Sequence, residues 1–133
     1  MSGTTNLDEL IKGMTPNLKK GEYVFTTVTK FHTIDRKLIF CEFKEEEGTT
    51  LVLEKKTADN LHLKYDYVAS WITLMIHSSL DAVGLTAIFS TELAKYNISC
   101  NVIAAYYHDH IFVNKNDAIK AIDVLNLLAK NHK

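Results

Sequence analysis

The sequence predicts an α+β fold of the ferredoxin-like type, an antiparallel sheet with helices on one face. Three observations carry this reading. Residues 71–77, WITLMIH, form a continuous apolar run of strand length. Residues 85–96 and 116–130 each place apolar side chains three and four positions apart, the spacing of a helix with one buried face. Between them, 98–106 and 110–113 read as two strands folded about the polar turn Tyr107-His108-Asp109. The resulting order is β-α-β-β-α. Each apolar helix stripe needs a flat surface to cover, and the strands supply it.

Taken from the start, Asn6-Leu7-Asp8-Glu9 has the form of a capping box, in which Asn6 accepts from the amide of Glu9. Leu7, Leu10 and Ile11 then share one side of a short helix that Gly13 can end, and Pro16 blocks its continuation. Thr15-Pro16-Asn17 and Lys19-Lys20-Gly21 read as loop. Residues 22–29 are β-branched and aromatic, with Tyr23, Phe25 and Thr27 facing away from Val24, Thr26 and Val28. Further strands are expected at 38–43 and 49–54, joined by the solvent-facing turn Glu45-Glu46-Glu47-Gly48, where Gly48 tolerates a positive φ. Residues 55–63 show no clear period and form the natural junction of two halves.

In the second half, Leu85, Ile88, Phe89, Leu93 and Tyr96 make one apolar stripe. Ala118, Ala121, Ile122, Leu125, Leu128 and Ala129 make another, with Asn116 as its expected N-cap. That last helix leaves no residues for the usual fourth strand. The open edge must therefore be filled by the N-terminal half or by a partner chain. The expected division is an N-terminal half at 1–66, smaller and sharing or extending the antiparallel sheet, and a β-α-β-β-α unit at 67–133.

Composition narrows the function classes. The 133 residues suit one domain or two intimately joined half-size units, with enough core to fold without metal or disulfide staples. The 15 basic and 16 acidic side chains are interspersed and leave a net charge of −1, so no long-range attraction to nucleic acid is expected. Cys41 and Cys100 lie in strand patterns and read as core thiols in a reducing compartment. No signal-like leader or membrane-length apolar run is present, which gives a cytoplasmic expectation without membrane association. The motifs for dinucleotides, for the phosphates of nucleotides and for zinc proteases are absent, so no cofactor is expected.

The strings Ser78-Ser79-Leu80-Asp81-Ala82-Val83-Gly84-Leu85-Thr86 and residues 101–113, NVIAAYYHDHIFV, resemble a family of small bacterial proteins with ACT-like domains. Tyr23-Val24-Phe25 and Glu45-Glu46-Glu47-Gly48-Thr49-Thr50 strengthen the match, which runs from about Leu7 to Leu128. The family is similar to the paired ACT modules of amino-acid sensors and of aspartate kinase. The resemblance implies two ferredoxin-like halves that share strands, a homodimer, and a regulatory site for a small molecule such as an amino acid.

The expected ligand contacts are Glu46, Glu47, Thr49, Ser79, Leu80, Asp81, Val83 and Gly84. A first helical turn leaves amide N–H groups that suit a carboxylate, and Gly84 allows close approach to that backbone. Asp81, Glu46 or Glu47 offers an acceptor for an ammonium group. Each segment also has a purely structural reading, as a capped turn or a solvated acidic turn. His108 and His110 fall on one face of a strand with Asp109 on the other, which gives two metal donors where zinc wants three or four. Metal and catalytic residues are accordingly expected to be none. Ser78 and Ser79 lack a nucleophile elbow, and neither cysteine has a basic setting. A non-catalytic ligand-binding module leads, a structural or protein-interaction module follows, and an enzyme using the acidic turn and the histidines comes third.

Overall fold

The computed structural model describes residues 6–76, 80 and 82–131. The chain divides into two compact units, one running from Lys20 to Ala69 and the other made of residues up to Lys19 together with those from Ser70 onward. Both are built on antiparallel strands flanked by helices, the ferredoxin-like α+β class.

The discontinuous unit contains helix α1 (Leu7–Lys12) and strand β1 (Pro16–Leu18) from the N-terminal segment. Strand β2 (Tyr23–Val28), β3 (Ile39–Lys44), β4 (Thr49–Glu54) and helix α2 (Lys55–Asn60) follow in the other unit. Strand β5 (Val68–Leu74) starts there and ends in the discontinuous unit. That unit then takes α3 (Leu85–Lys95), β6 (Asn101–Ala104), β7 (Asp109–Asn114) and α4 (Ala118–Asn131). From β5 onward the order is β-α-β-β-α, as the periodicity predicts.

Residues 16–18 correct one expectation and answer another. They form a strand, not a loop, and pair antiparallel with β5 in the register Pro16↔Leu74, Asn17↔Thr73 and Leu18↔Ile72. Proline is tolerated there because it opens the strand. Within this unit the strand order is β1-β5-β7-β6, so β1 takes the fourth-strand position that the C-terminal residues leave open. α1 follows it into the core: Leu10, Ile11 and Met14 are buried with Ile72, Leu74, Leu85, Phe89, Leu93, Ile111 and Leu125. Asn6 caps α1 as expected, accepting from the amide of Glu9 at 3.1 Å. The cap of the last helix differs from expectation. A 3₁₀ turn at Lys115–Asp117 precedes α4 and includes Asn116, and Asn114 caps that turn, accepting from the Asn116 amide at 2.9 Å.

The continuous unit has the strand order β3-β4-β2-β5, with Val24 and Tyr23 opposite Val68 and Ala69. Its core is Val24, Leu51, Leu53 and Ala58, with Val28, Ile34, Ile39 and Val68 packed around it. Residues 55–60, expected to be aperiodic junction, are α2. The helix buries only Ala58, which is too little to print an apolar period. The β2–β3 connection carries no α-helix. It is a loop ending in a 3₁₀ turn at Arg36–Leu38, capped by Asp35, whose carboxylate accepts from the Lys37 amide at 3.0 Å.

Candidate functional site

The loop before α3 comes from the discontinuous unit. Gly84 occupies the N-cap position with φ 93°, a left-handed conformation that disfavours a side chain. A Cβ there would also touch Leu7 Cδ2 at 3.4 Å. The Ile88 amide reaches the Gly84 carbonyl at 3.0 Å, and among the described residues no side chain caps the first turn. Its leading amides are therefore oriented for an acceptor. Leu80 and Val83 are 68% and 83% exposed, while Ala82 packs on the core. Ser79 and Asp81 lie outside the described residues.

The acidic turn belongs to the continuous unit. The Glu45 amide donates to the Gly48 carbonyl at 2.9 Å, and Thr50 Oγ1 donates to the Glu45 carboxylate at 2.5 Å. Glycine is required at position 48 for a different reason from the one expected. Gly48 is not among the positive-φ glycines, which among the described residues are Gly21 and Gly84. A Cβ at Gly48 would instead sit 2.8 Å from Thr27 Oγ1 and 2.9 Å from the Val28 carbonyl oxygen. The β2 backbone crosses too closely to admit one. Glu46 and Glu47 are exposed, whereas Thr49 is buried at 1% exposure. Glu46 lines an open hollow of about 440 Å³ together with Lys30, Phe31, Lys44 and Glu45. Lys30, Phe31 and Lys44 escaped the sequence reading. An apolar residue placed just beyond a strand end, beside a lysine, was the available signal.

His32, next to Phe31 in the sequence, is tied into its surroundings. The His32 amide donates to the Thr29 carbonyl at 3.2 Å, and His32 Nδ1 accepts from the Ile34 amide at 3.2 Å. That leaves Nε2–H to donate to Glu42 Oε2, 3.0 Å away. The His32 contact, ahead of the nearby Arg36 charge, holds the Glu42 carboxyl below its ordinary range.

His110 in β7 and His108 just before it are both engaged in hydrogen bonds. Trp71 Nε1–H donates to His110 Nδ1 at 3.0 Å, and Thr73 Oγ1 lies 3.0 Å from the same nitrogen. An accepting Nδ1 fixes His110 as the neutral Nε2–H tautomer, whose outer nitrogen has no lone pair for a metal. Burial, then the charges of His108 and Lys19, lower its pKa. His108 has the complementary form, because its Nδ1 lies 3.1 Å from the Ile76 carbonyl, which can only accept. Burial raises the Asp109 carboxyl. Among the described residues no group of three or more His, Cys, Asp and Glu side chains could hold a metal ion. Both cysteine thiols are pushed up by burial, Cys100 to about 11, which leaves them poor nucleophiles. Among the described residues no helix is long and apolar enough to cross a membrane.

Comparison with known proteins gives a consistent result. Two family profiles, each described as an ACT domain, match residues 2–70 and 67–126. A crystal structure from Vibrio cholerae, described as a protein of unknown function and possible transport protein, is 46% identical. It covers 96% of this chain and 99% of that one, with a TM-score of 0.84. An Agrobacterium tumefaciens protein is 16% identical over 87% of this chain and 89% of its own, with a TM-score of 0.72. Aspartate kinase from Clostridium acetobutylicum, described as an allosteric enzyme, shares the fold at 14% identity and a TM-score of 0.58. That match covers 85% of this chain and 34% of the kinase. No curated protein matches the chain.

Proposed function

The chain belongs to the ACT-domain family, and from that premise we propose that it binds an amino acid or a similar zwitterion as a homodimeric regulatory protein. ACT domains are regulatory, non-catalytic modules that often bind small ligands and pair into dimers. The candidate contacts are Ser79, Leu80, Asp81, Val83 and Gly84; Glu46 and Glu47 are a separate candidate set in the other unit, where Thr49 is only 1% exposed. The observation that carries the reading is the first turn of α3. It begins at a left-handed glycine, lacks a side-chain cap among the described residues, and is flanked by the exposed Leu80 and Val83. Amide donors so arranged match a carboxylate, and Asp81, three positions before Gly84 in the sequence, offers an acceptor that matches an ammonium.

A thermal-shift panel of the twenty amino acids tests the reading. A ligand that binds only the native state stabilises it by about 2.7 kcal/mol at a hundredfold excess over Kd, a clear shift for a chain of this size. Light scattering should return twice the chain mass. A panel without any shift, on protein freed of carried-over ligand, would favour the interaction-module reading. The exposed Phe40 and Phe43 on the outer strand β3 would then be the first surface to probe.

A further inference from the structure

We propose that Trp71, Thr73 and His110 form a pH-operated exchange of partners: on taking up a proton at Nδ1, His110 stops accepting from the Trp71 indole and donates to the Thr73 hydroxyl instead. The device lies wholly within the discontinuous unit and does not depend on which ligand the protein binds.

The chemistry of the three partners dictates the exchange. An indole N–H can only donate, an imidazole nitrogen accepts or donates according to its protonation, and a hydroxyl does either. Trp71 Nε1 and Thr73 Oγ1 each lie 3.0 Å from His110 Nδ1. In the neutral ring the single lone pair of Nδ1 receives the indole N–H. Once Nδ1 carries a proton, two N–H groups oppose each other across that 3.0 Å. Of the two neighbours, only Thr73 can then accept. Its side chain is 2% exposed and already in place, so a turn about its C–O bond is all the change asks of it. Trp71 is half-buried, and its N–H must turn away to find an acceptor in water.

The groups facing the ring make this an acid-side event. Lys19, which follows β1, holds its Nζ 5.7 Å from the centre of the Trp71 ring, and the ring centres of His108 and His110 are 6.4 Å apart. Both oppose a further positive charge. Asp109 is adjacent in sequence, but strand alternation turns it to the other face, and burial raises its carboxyl. β5 and β6 flank β7, and neither carries a titratable side chain; β6 sets Ile103 opposite His110. Burial, followed by the His108 and Lys19 charges, lowers the His110 pKa, which places the exchange below about 6.5.

Trp71 is the one tryptophan of the chain, so a single indole N–H resonance reports the contact. An NMR series on isotope-labelled full chain from about pH 7.5 to 5 tests the exchange. The indole proton should move upfield as its hydrogen bond is lost, with a midpoint below about 6.5, while the His110 ring nitrogens show Nδ1 gaining the proton. His110→Asn, whose amide does not titrate, should hold the resonance still. Lys19→Gln should raise the midpoint by removing an opposing charge. Thr73→Val should lower it by about half a unit or more, because the protonated ring loses its acceptor. Backbone amide resonances, followed in the same spectra, separate this local event from unfolding. The exchange is overturned by an indole resonance that stays fixed while Nδ1 titrates, that moves equally in His110→Asn, or that shifts only as the backbone unfolds. A Thr73→Val midpoint at or above that of the wild type also overturns it.

Discussion

Ile11→Ala should destabilise the C-terminal ACT module although the residue lies at the other end of the chain. Ile11 is 1% exposed and sits among Leu10, Met14, Leu85, Phe89 and Leu125. α1 has six residues, far below the length at which a helix is stable alone, so packing holds it in place. The substitution removes three carbon groups, roughly 2.4 kcal/mol of transfer free energy at about 0.8 each, and the residual cavity brings the loss to about 3–4 kcal/mol. At roughly 4 °C per kcal/mol for a chain of this size, the melting temperature should fall by about 12–16 °C. Calorimetry or circular dichroism measures this, with the exposed Lys12→Ala as the control. Hydrogen exchange locates it: the Lys19 and Met75 amides, bound to the carbonyls of Trp71 and Thr15 at 2.9 and 2.7 Å, should lose protection first. A loss below about 1 kcal/mol would show that α1 is an ornament on the module and that β1 closes the sheet without it.

Gly48→Ala should cost about 1–3 kcal/mol by overpacking against Thr27 and Val28, seen as a lower urea midpoint; a neutral outcome would mean that the β2 backbone yields. His110 predicts an acid-side loss of stability. Its folded pKa is lowered, so its contribution is complete above its unfolded value of about 6.5 and is lost as pH falls below that toward the folded value. Melting curves between pH 7 and 5 should steepen for the wild type relative to His110→Asn. Equal slopes would place the titration elsewhere. Asp81→Ala should weaken whichever amino acid binds by roughly 1.5–3 kcal/mol in calorimetry while leaving the melting temperature of the free protein nearly unchanged. Intact affinity would remove Asp81 from the site.

The readable part of this protein was the part written in local period. The stripe of Leu85, Phe89 and Leu93 buries one face of α3, so burial imprints a spacing that survives in the sequence, and β5, buried along most of its length, shows as a continuous apolar run. The capping box at Asn6 was legible for the same local reason. So was the acidic turn, since three adjacent carboxylates belong in water. α2 was not legible because it buries one alanine, and β1 was not because a three-residue strand owes its existence to β5, whose edge it pairs with. The sequence by itself stated that an edge needed filling and left open whether the N-terminal half or a partner chain would fill it. Folding decided in favour of residues 16–18. The hollow divides in the same way. Glu46 could be picked out by charge, but Lys30, Phe31 and Lys44 gather beside it only through the pairing of β2 with β4 and of β4 with β3. Gly48 shows the physical reason most plainly. Composition announces a turn glycine, but only the strand passing 2.8–2.9 Å from its missing side chain explains why nothing larger fits.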